Sequence, residues 1–322
     1  MARKRAPHRH QPRPSTAPNH TGGERKGLVI TRFGAKLDVE DEGGEVRRCT
    51  SRRRLDDIVC GDRVIWQPTL ENKGVVVERL PRNTLLSRPD ERGRVKSIAA
   101  NLTQIVVTSV VKGSAKEPYR LNNGLIDHYL VAAENQGITP ILLINKADLL
   151  NGADRQQLTT DTAPYRDIGY TVLHTSTKIE KGLAQLEQQL ADHSSVFVGE
   201  SGVGKSSLIN ALLPEAAIKT GEISAHSGKG KHTTTTTVLY HLPCGGELID
   251  SPGVREFGLV ITQQSDIAHG FKEFRRYLGQ CKFNNCSHLH EPRCAIIAAV
   301  ESGAIQRIRY QSYQRMMASR NA

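Results

Sequence analysis

The chemistry-bearing residues of this chain fall into four short groups. The first is Gly199-Glu200-Ser201-Gly202-Val203-Gly204-Lys205-Ser206-Ser207, which spells G-x-x-x-x-G-K-S. Glycines at these places let the backbone wrap closely around phosphates, so that successive N–H groups point inward. A helix starting at the same place adds partial positive charge. Lys205 is expected to reach the β- and γ-phosphates of a nucleotide, and Ser206 to offer its hydroxyl to Mg²⁺. The second group is Asn145-Lys146-Ala147-Asp148, or N-K-x-D. A carboxylate at Asp148 can accept two hydrogen bonds from N1–H and N2–H₂ of guanine. Adenine has no such donor pair, so the residue selects GTP over ATP by leaving the wrong base unsatisfied. Thr175-Ser176-Thr177, further on, can support the base through hydroxyl and backbone groups, with Ser176 taken as a site residue.

The third group closes on the γ-phosphate. Asp250-Ser251-Pro252-Gly253 reads D-x-x-G, with Asp250 holding the Mg²⁺ shell and the Gly253 N–H meeting the γ-phosphate. Lys229 to Thr237 is a Gly/Lys/Thr-rich stretch suited to a mobile loop in which one threonine closes on Mg²⁺. A homopolymer run does not say which; Thr234 is favoured, and part of the run suits the start of a strand. Val254 stands where Ras-like enzymes use a glutamine to orient water, so intrinsic hydrolysis should be slow unless His232 or a partner's group positions that water. The fourth group is Cys281, Cys286, His288 and Cys294. Three thiolates and an imidazole suit one tetrahedral, closed, structural Zn²⁺. His290 is a rival ligand two residues beyond His288.

The elements that must position these groups are legible in the intervening sequence. Ser195–Val198 before the phosphate loop is a short apolar run suited to a buried parallel strand, and Leu208–Leu213 after it reads as a helix stopped by Pro214. Upstream, 102–107, 140–144 and 170–174 read as strands, and 120–135 and 182–192 as helices, with Leu121, Leu125, Tyr129 and Ala132 on one face of the first. Residues 246–249 add a strand leading to Asp250. Together these predict a doubly wound α/β sheet with ligands at the carboxyl ends of its strands. Residues 27–86 differ. Gly27–Ile30, Ala35–Val39, Arg63–Trp66 and Gly74–Glu78 are strand-like runs separated by Gly, Asp and Asn, the pattern of a small all-β barrel of OB type. Arg47, Arg48, Arg52, Arg53 and Arg54 crowd one inter-strand region there and suit RNA contact, while Asp56 to Asp62 reads as structural. The predicted division is a basic tail at 1–26, the barrel at 27–86, the α/β domain at 87–262 and a helical zinc-knuckle domain at 263–322.

Composition sets the outer bounds. The 322 residues carry a formal net charge of +11, which favours a polyanionic partner. The first 26 residues hold seven Lys or Arg and one acid, Glu24, with too little apolar content to bury anything. Arg307, Arg309, Arg315 and Arg320 with Tyr310 and Tyr313 on the last helix-like stretch suit RNA backbone and bases. No apolar run reaches the length of a membrane span, and no secretory h-region is present, so a cytoplasmic protein with thiols or metal-bound cysteines is expected.

The order of the motifs is the most specific signal. In ordinary small GTPases the phosphate loop precedes N-K-x-D; here Asn145–Asp148 comes first and Asp250–Gly253 last, so the parts can meet only if the sheet is circularly permuted. In this order, and in the His232-Thr-Thr run and the Cys281, Cys286, His288, Cys294 set, the sequence resembles the RsgA (YjeQ-type) family from about residue 27 onward. These are circularly permuted GTPases of small-subunit ribosome biogenesis. The resemblance implies an OB barrel, a permuted GTPase domain and a zinc-knuckle domain. It also implies late assembly of the 30S subunit on 16S rRNA, with hydrolysis of GTP to GDP stimulated by the subunit. An apolar residue at Val254 is usual in the family. The expected protein is a monomer with no membrane association. Two other classes are weighed against it: an RNA chaperone that holds nucleotide without productive turnover, opposed by intact Lys205, Ser206 and Asp250, and an ATP-dependent enzyme, opposed by Asn145 and Asp148.

Overall fold

The computed structural model describes residues 23–55, 57–70, 72–89, 94–114, 117–213, 237–251 and 264–320. Period-two alternation builds its first part. Strands β1 (Arg25–Phe33), β2 (Lys36–Asp41), β3 (Val46–Ser51), β4 (Arg63–Pro68) and β5 (Lys73–Arg79) turn alternate residues inward. Val29, Leu37, Val39, Cys49, Val64, Trp66 and Val76 form the interior with Ile58. The strands pair β1·β2, β2·β3, β3·β5 and β5·β4, and β4 returns to β1, so the sheet closes and no edge is left within the barrel. This is the OB-type barrel expected from the sequence. Its first strand takes in Arg25 and Lys26. The arginine cluster is corrected: Arg47 and Arg48 lie on β3 rather than between strands, and Arg48 is held by Asp38 across the β2·β3 ladder. The stretch ending at Asp62 is structural, as expected. Buried Asp62 accepts from Val59 N at 2.7 Å and from Arg82 Nε at 2.7 Å. A hairpin of β6 (Leu85–Pro89) and β7 (Val95–Ala100), not anticipated, leads out of the barrel.

The central part alternates strand and helix. It comprises β8 (Gln104–Val110), a small ribbon of β9 (Lys112–Ser114) and β10 (Glu117–Arg120), and α1 (Asn123–Asn135). Then come β11 (Thr139–Asn145), α2 (Gly152–Asp167), β12 (Thr171–His174), α3 (Ala184–Leu190) and β13 (Ser194–Val198). It ends with α4 (Lys205–Leu212), β14 (Val238–His241) and β15 (Glu247–Asp250). The sheet order is β12-β11-β8-β13-β15-β14. The first five strands are parallel and β14 is antiparallel. β8 and β11 are buried along most of their length, which is why they read as continuous apolar runs. One sheet face packs on a core including Ile105, Leu130, Leu142 and Val196, the other on Val106, Leu143, Phe197 and Leu208. β14 also pairs antiparallel with β1 through Thr31 and Val238, so barrel and α/β sheet form one continuous eleven-stranded surface.

The C-terminal part is helical: α5 (Gln264–Gly270), a 3₁₀ turn at Lys272–Phe274, α6 (Ala295–Glu301) and α7 (Arg307–Arg320). Here α7 corrects the sequence reading. Arg309, Tyr310 and Tyr313 are buried with Met316 and Met317, at helical spacing, in the core of this part rather than facing a partner. Arg309 reaches Asp127 on α1 and takes Glu273 through Nε at 2.7 Å and Nη2 at 3.3 Å.

Candidate functional site: a nucleotide cleft and a metal knuckle

The carboxyl ends of β13 and β11 carry the two motifs, and β8 lies between those strands. The phosphate loop leaves β13 through Gly199 at φ 142°, where a Cβ would stand 2.1 Å from the Thr108 carbonyl oxygen of β8. It enters α4 through Gly204 at φ 96°, where a Cβ would stand 2.5 Å from Asn145 Nδ2. Both positions need glycine because the loop passes so close to its neighbours.

The motif from β11 grips this loop. Asn145 Nδ2 donates to Val203 O at 2.9 Å, and Lys146 Nζ donates to Gly202 O at 2.9 Å. Asn145 Oδ1 accepts from the Thr175 hydroxyl at 3.3 Å. Residues 145, 175 and 203, far apart in the chain, are therefore locked together. Lys146 adopts a left-handed backbone (φ 60°), which turns the chain so that Asp148 follows on a 3₁₀ turn at Ala147–Leu149. Asp148 Oδ1 accepts from Ser176 Oγ at 2.6 Å, and Ser176 Oγ in turn accepts from Lys178 N at 3.0 Å. This hydroxyl holds the Asp148 carboxyl below its ordinary range, helped by Lys178 and Lys146, so the group is ionised and able to accept.

Between these walls lies a cavity of about 390 Å³ lined by Lys146, Ser201, Gly202, Gly204, Lys205, Ser206 and Ser207. That size suits a small ligand. Lys205 is buried, with Nζ donating to Gly199 O at 2.7 Å and Glu200 O at 2.6 Å. Asp250 ends β15, the strand paired with β13, which sets it at the same edge of the sheet. Beside it Ser251 accepts from Thr237 Oγ1 at 2.9 Å. A serine hydroxyl and a carboxylate are the hard oxygen donors Mg²⁺ takes, so Ser206 and Asp250 fit that ion by type. His232, Thr234, Gly253 and Val254 lie outside the described residues. One partner was not foreseen: Asn122 caps α1 by accepting from Leu125 N at 3.3 Å, and donates to Glu200 Oε1 of the phosphate loop at 2.8 Å. No local pattern links residues 122 and 200.

The second centre forms in the C-terminal part. The ligand atoms of Cys281, Cys286, His288 and Cys294 all lie within 4.8 Å of one another. Cys281 Sγ and Cys294 Sγ are 3.8 Å apart, and His288 Nδ1 is 3.4 Å from each. Ligands at zinc distances on a tetrahedron stand about 3.8 Å (S to S) and about 3.5 Å (S to N) apart, so the residues fit such an ion. Without one, burial and the neighbouring sulfurs push the Cys286 thiol up to about 12. A divalent cation that takes thiolates removes that conflict. His288, not His290, belongs to the cluster. Glu291, which sequence reasoning missed, braces the loop: it accepts from Ser287 N at 2.7 Å, Leu289 N at 3.1 Å and His290 N at 3.2 Å, and from Ser287 Oγ. Burial opposes its ionisation, but these bonds outweigh burial and hold its carboxyl well below the usual range. The Tyr310 and Tyr313 hydroxyls donate to His288 O at 2.7 Å and Ser287 O at 2.6 Å, which explains their burial.

Comparison with known proteins agrees with this geometry. A family model described as RsgA GTPase matches residues 79–260. The small ribosomal subunit biogenesis GTPase RsgA 1 of Vibrio vulnificus is 48% identical over 303 residues, covering 92% of this chain and 84% of its own length. The RsgA protein of Chromohalobacter salexigens is 50% identical over 302 residues, covering 92% and 86%. Among solved structures, YjeQ from Thermotoga maritima superposes with a TM-score of 0.75 at 32% identity, covering 92% of this chain and 98% of its own. YloQ, described as a circularly permuted GTPase, gives 0.72 at 29%, covering 94% and 97%.

Proposed function

This chain belongs to the RsgA family of circularly permuted GTPases, and from that membership we propose how its parts divide the work. It is a GTP-hydrolysing enzyme acting in small-subunit ribosome biogenesis. In our reading it docks on the 16S rRNA of the 30S subunit late in assembly, as a monomer in the cytoplasm, hydrolyses GTP and leaves as the GDP form. Asp148 reads guanine, with Ser176 holding it ionised. Residues 199–207 cradle the phosphates, with Lys205 at the β- and γ-oxygens. Ser206 and Asp250 would hold the Mg²⁺ that accompanies GTP, and that ion would supply positive charge against the charge developing on the transferred phosphoryl group. Gly253 and Thr234 complete the γ-phosphate site, and His232 or a group from the subunit orients water, since Val254 cannot. Zn²⁺ on Cys281, Cys286, His288 and Cys294 is structural. The divisions after residues 26, 86 and 262 belong to the same proposal.

The observation that carries it is the direct hydrogen bonding of Asn145 to Val203 and of Lys146 to Gly202. Lys146 of the N-K-x-D motif and the residues of the phosphate loop, in permuted order, line one cavity, which supports reading the two motifs as parts of one nucleotide site. The test is turnover of GTP and ATP with and without isolated small subunits. GTP alone should turn over, faster with subunits, and Lys205→Ala should abolish the stimulated rate. Stimulated turnover that survives Lys205→Ala, or equal use of ATP, would overturn the assignment.

A further inference from the structure

The knuckle carries four consecutive side chains that the metal cluster does not use. Between Cys281 and Cys286 the chain runs Lys282-Phe283-Asn284-Asn285. Phe283, Asn284 and Asn285 stand at a cavity of about 460 Å³ whose other walls include Cys281, Cys286 and His288 of the metal cluster. Phe283 is 39% exposed. Single exposed apolar residues are ordinary, so exposure by itself argues nothing. The surroundings do. Lys282 places its ammonium 5.2 Å from the Phe283 ring centroid. The Asn284 and Asn285 side-chain amides are spent on no protein group among the described residues. None of the described residues lining the cavity is acidic, and Lys282 and Arg293 are exposed at the knuckle's surface. The nearest acid of the loop, Glu291, has its oxygens taken by the backbone of 287–290.

The loop is also held in place before any partner arrives. Both its ends are metal ligands, Cys286 N donates to Phe283 O at 3.3 Å, and Lys282 N donates to Arg293 O at 3.3 Å. A ligand meeting it loses little to loop ordering. A flat aromatic face, a cation beside it and amides offering both donor and acceptor hold an unstacked base: ring on ring, cation to phosphate, amide to the base edge. A protein partner would find an apolar ring flanked by an uncompensated ammonium, which the net charge of +11 does nothing to relieve.

We propose that the loop between Cys281 and Cys286 takes one unstacked base of single-stranded RNA, stacked on Phe283, with Asn284 and Asn285 at its edge and Lys282 at the flanking phosphate. This deepens the proposed function and rests on RNA being the partner of the knuckle. The test uses the full-length, zinc-loaded protein and eight-nucleotide single-stranded RNAs carrying 2-aminopurine, an RNA duplex of the same length, and isolated small subunits. Wild type should bind the single strand more tightly than the duplex and quench the reporter base. Phe283→Leu keeps apolar bulk and removes the flat face. It should weaken single-strand binding about tenfold or more, abolish quenching and leave duplex binding, zinc content and unstimulated GTP turnover unchanged. Asn284→Ala with Asn285→Ala should flatten any preference among bases while keeping the quench. Unchanged binding and quenching in Phe283→Leu overturns the proposal. So does no preference of wild type for the single strand, or a loss seen with intact subunits but not with free RNA, which points to a protein contact. Wild-type stimulation by subunits is measured in parallel. Its absence refutes the assigned function, whereas the free-RNA result decides the base site by itself.

Discussion

Asn145 and Asp148 sit three residues apart and act on different things. Asn145 is buried and faces the protein, joining Val203 to Thr175. Asp148 is the one left to meet a base, with the Ser176 hydroxyl on its carboxylate. This gives a prediction with a definite sign. Because the Asp148 carboxyl is held below its ordinary range, it stays ionised further down in pH than a free carboxylate does, and guanine affinity persists with it. In Ser176→Ala the carboxyl returns upward, so GTP affinity should start to fall at a higher pH than in wild type, with little change near neutrality. Asp148→Asn should weaken GTP binding at neutral pH, since one acceptor is replaced by a donor facing a donor, and the difference should shrink as the wild-type carboxyl protonates. Calorimetric or fluorescence titration across pH checks both; a Ser176→Ala curve that overlays wild type would refute the hydroxyl's part. The nucleotide residues were legible because ligand chemistry fixes their types within four to nine consecutive positions. Asn122 and Glu291 were not. Each acts through hydrogen bonds whose partners are set by folding, Asn122 across 78 residues and Glu291 on backbone groups that any sequence would supply.

Among the elements, α7 was misjudged, and the start of the arginine cluster was placed between strands when it lies on β3. Both are rich in arginine, and arginine was taken as surface charge seeking phosphate. On β3, Arg47 is half-buried, and Arg48 is exposed but paired with Asp38 across the ladder. On α7, Arg309 is completely buried, its guanidinium 4.7 Å from the Phe271 ring centroid and bonded to carboxylates from α1 and from the 3₁₀ turn. Sequence alone does not reveal such a partner, since Asp127 lies 182 residues upstream. The strands of the α/β sheet posed no such problem, being apolar over whole runs. Breaking a buried ion pair on one side leaves uncompensated charge and costs ~3–5 kcal/mol. Arg309→Ala should therefore lower the urea midpoint sharply and loosen α7 from α1. Arg309→Met, which fills space but strands the same two carboxylates, should rescue little unless combined with Asp127→Asn and Glu273→Gln. If Arg309→Ala unfolds with wild-type stability, the cluster does not tie these parts together.

The permuted order acquires a physical meaning only in the whole molecule. The chain leaves the phosphate-loop helix α4 at Leu212, returns as the hairpin β14–β15 and exits at Asp250 toward α5. That hairpin pairs on one side with β13, which bears the phosphate loop, and on the other with β1 of the barrel. His241 Nε2 and Glu40 Oε2, 2.7 Å apart, add a second tie between hairpin and barrel. The segments expected to sense the γ-phosphate, around Thr234 and Gly253, are thus the two chain connections of a single hairpin, and that hairpin is the seam between barrel and enzyme. On the far side of the sheet, β11 and β12 pair with no barrel strand among the described residues. A sensor in an unpermuted chain would have no reason to feed directly into a following domain; here the connection after Asp250 runs straight to the metal-bearing part. Any change on hydrolysis should then spread along the hairpin into β1 and α5 before it reaches β12. Hydrogen exchange comparing GDP with a non-hydrolysable GTP analogue reads this directly. Protection should change at 237–251, at the β1 amides around Thr31 and in 264–270, and stay constant at 171–174. A change confined to residues 199–207, with the hairpin and β1 unaffected, would mean that the seam is a passive joint and that barrel and knuckle do not sense the nucleotide through it.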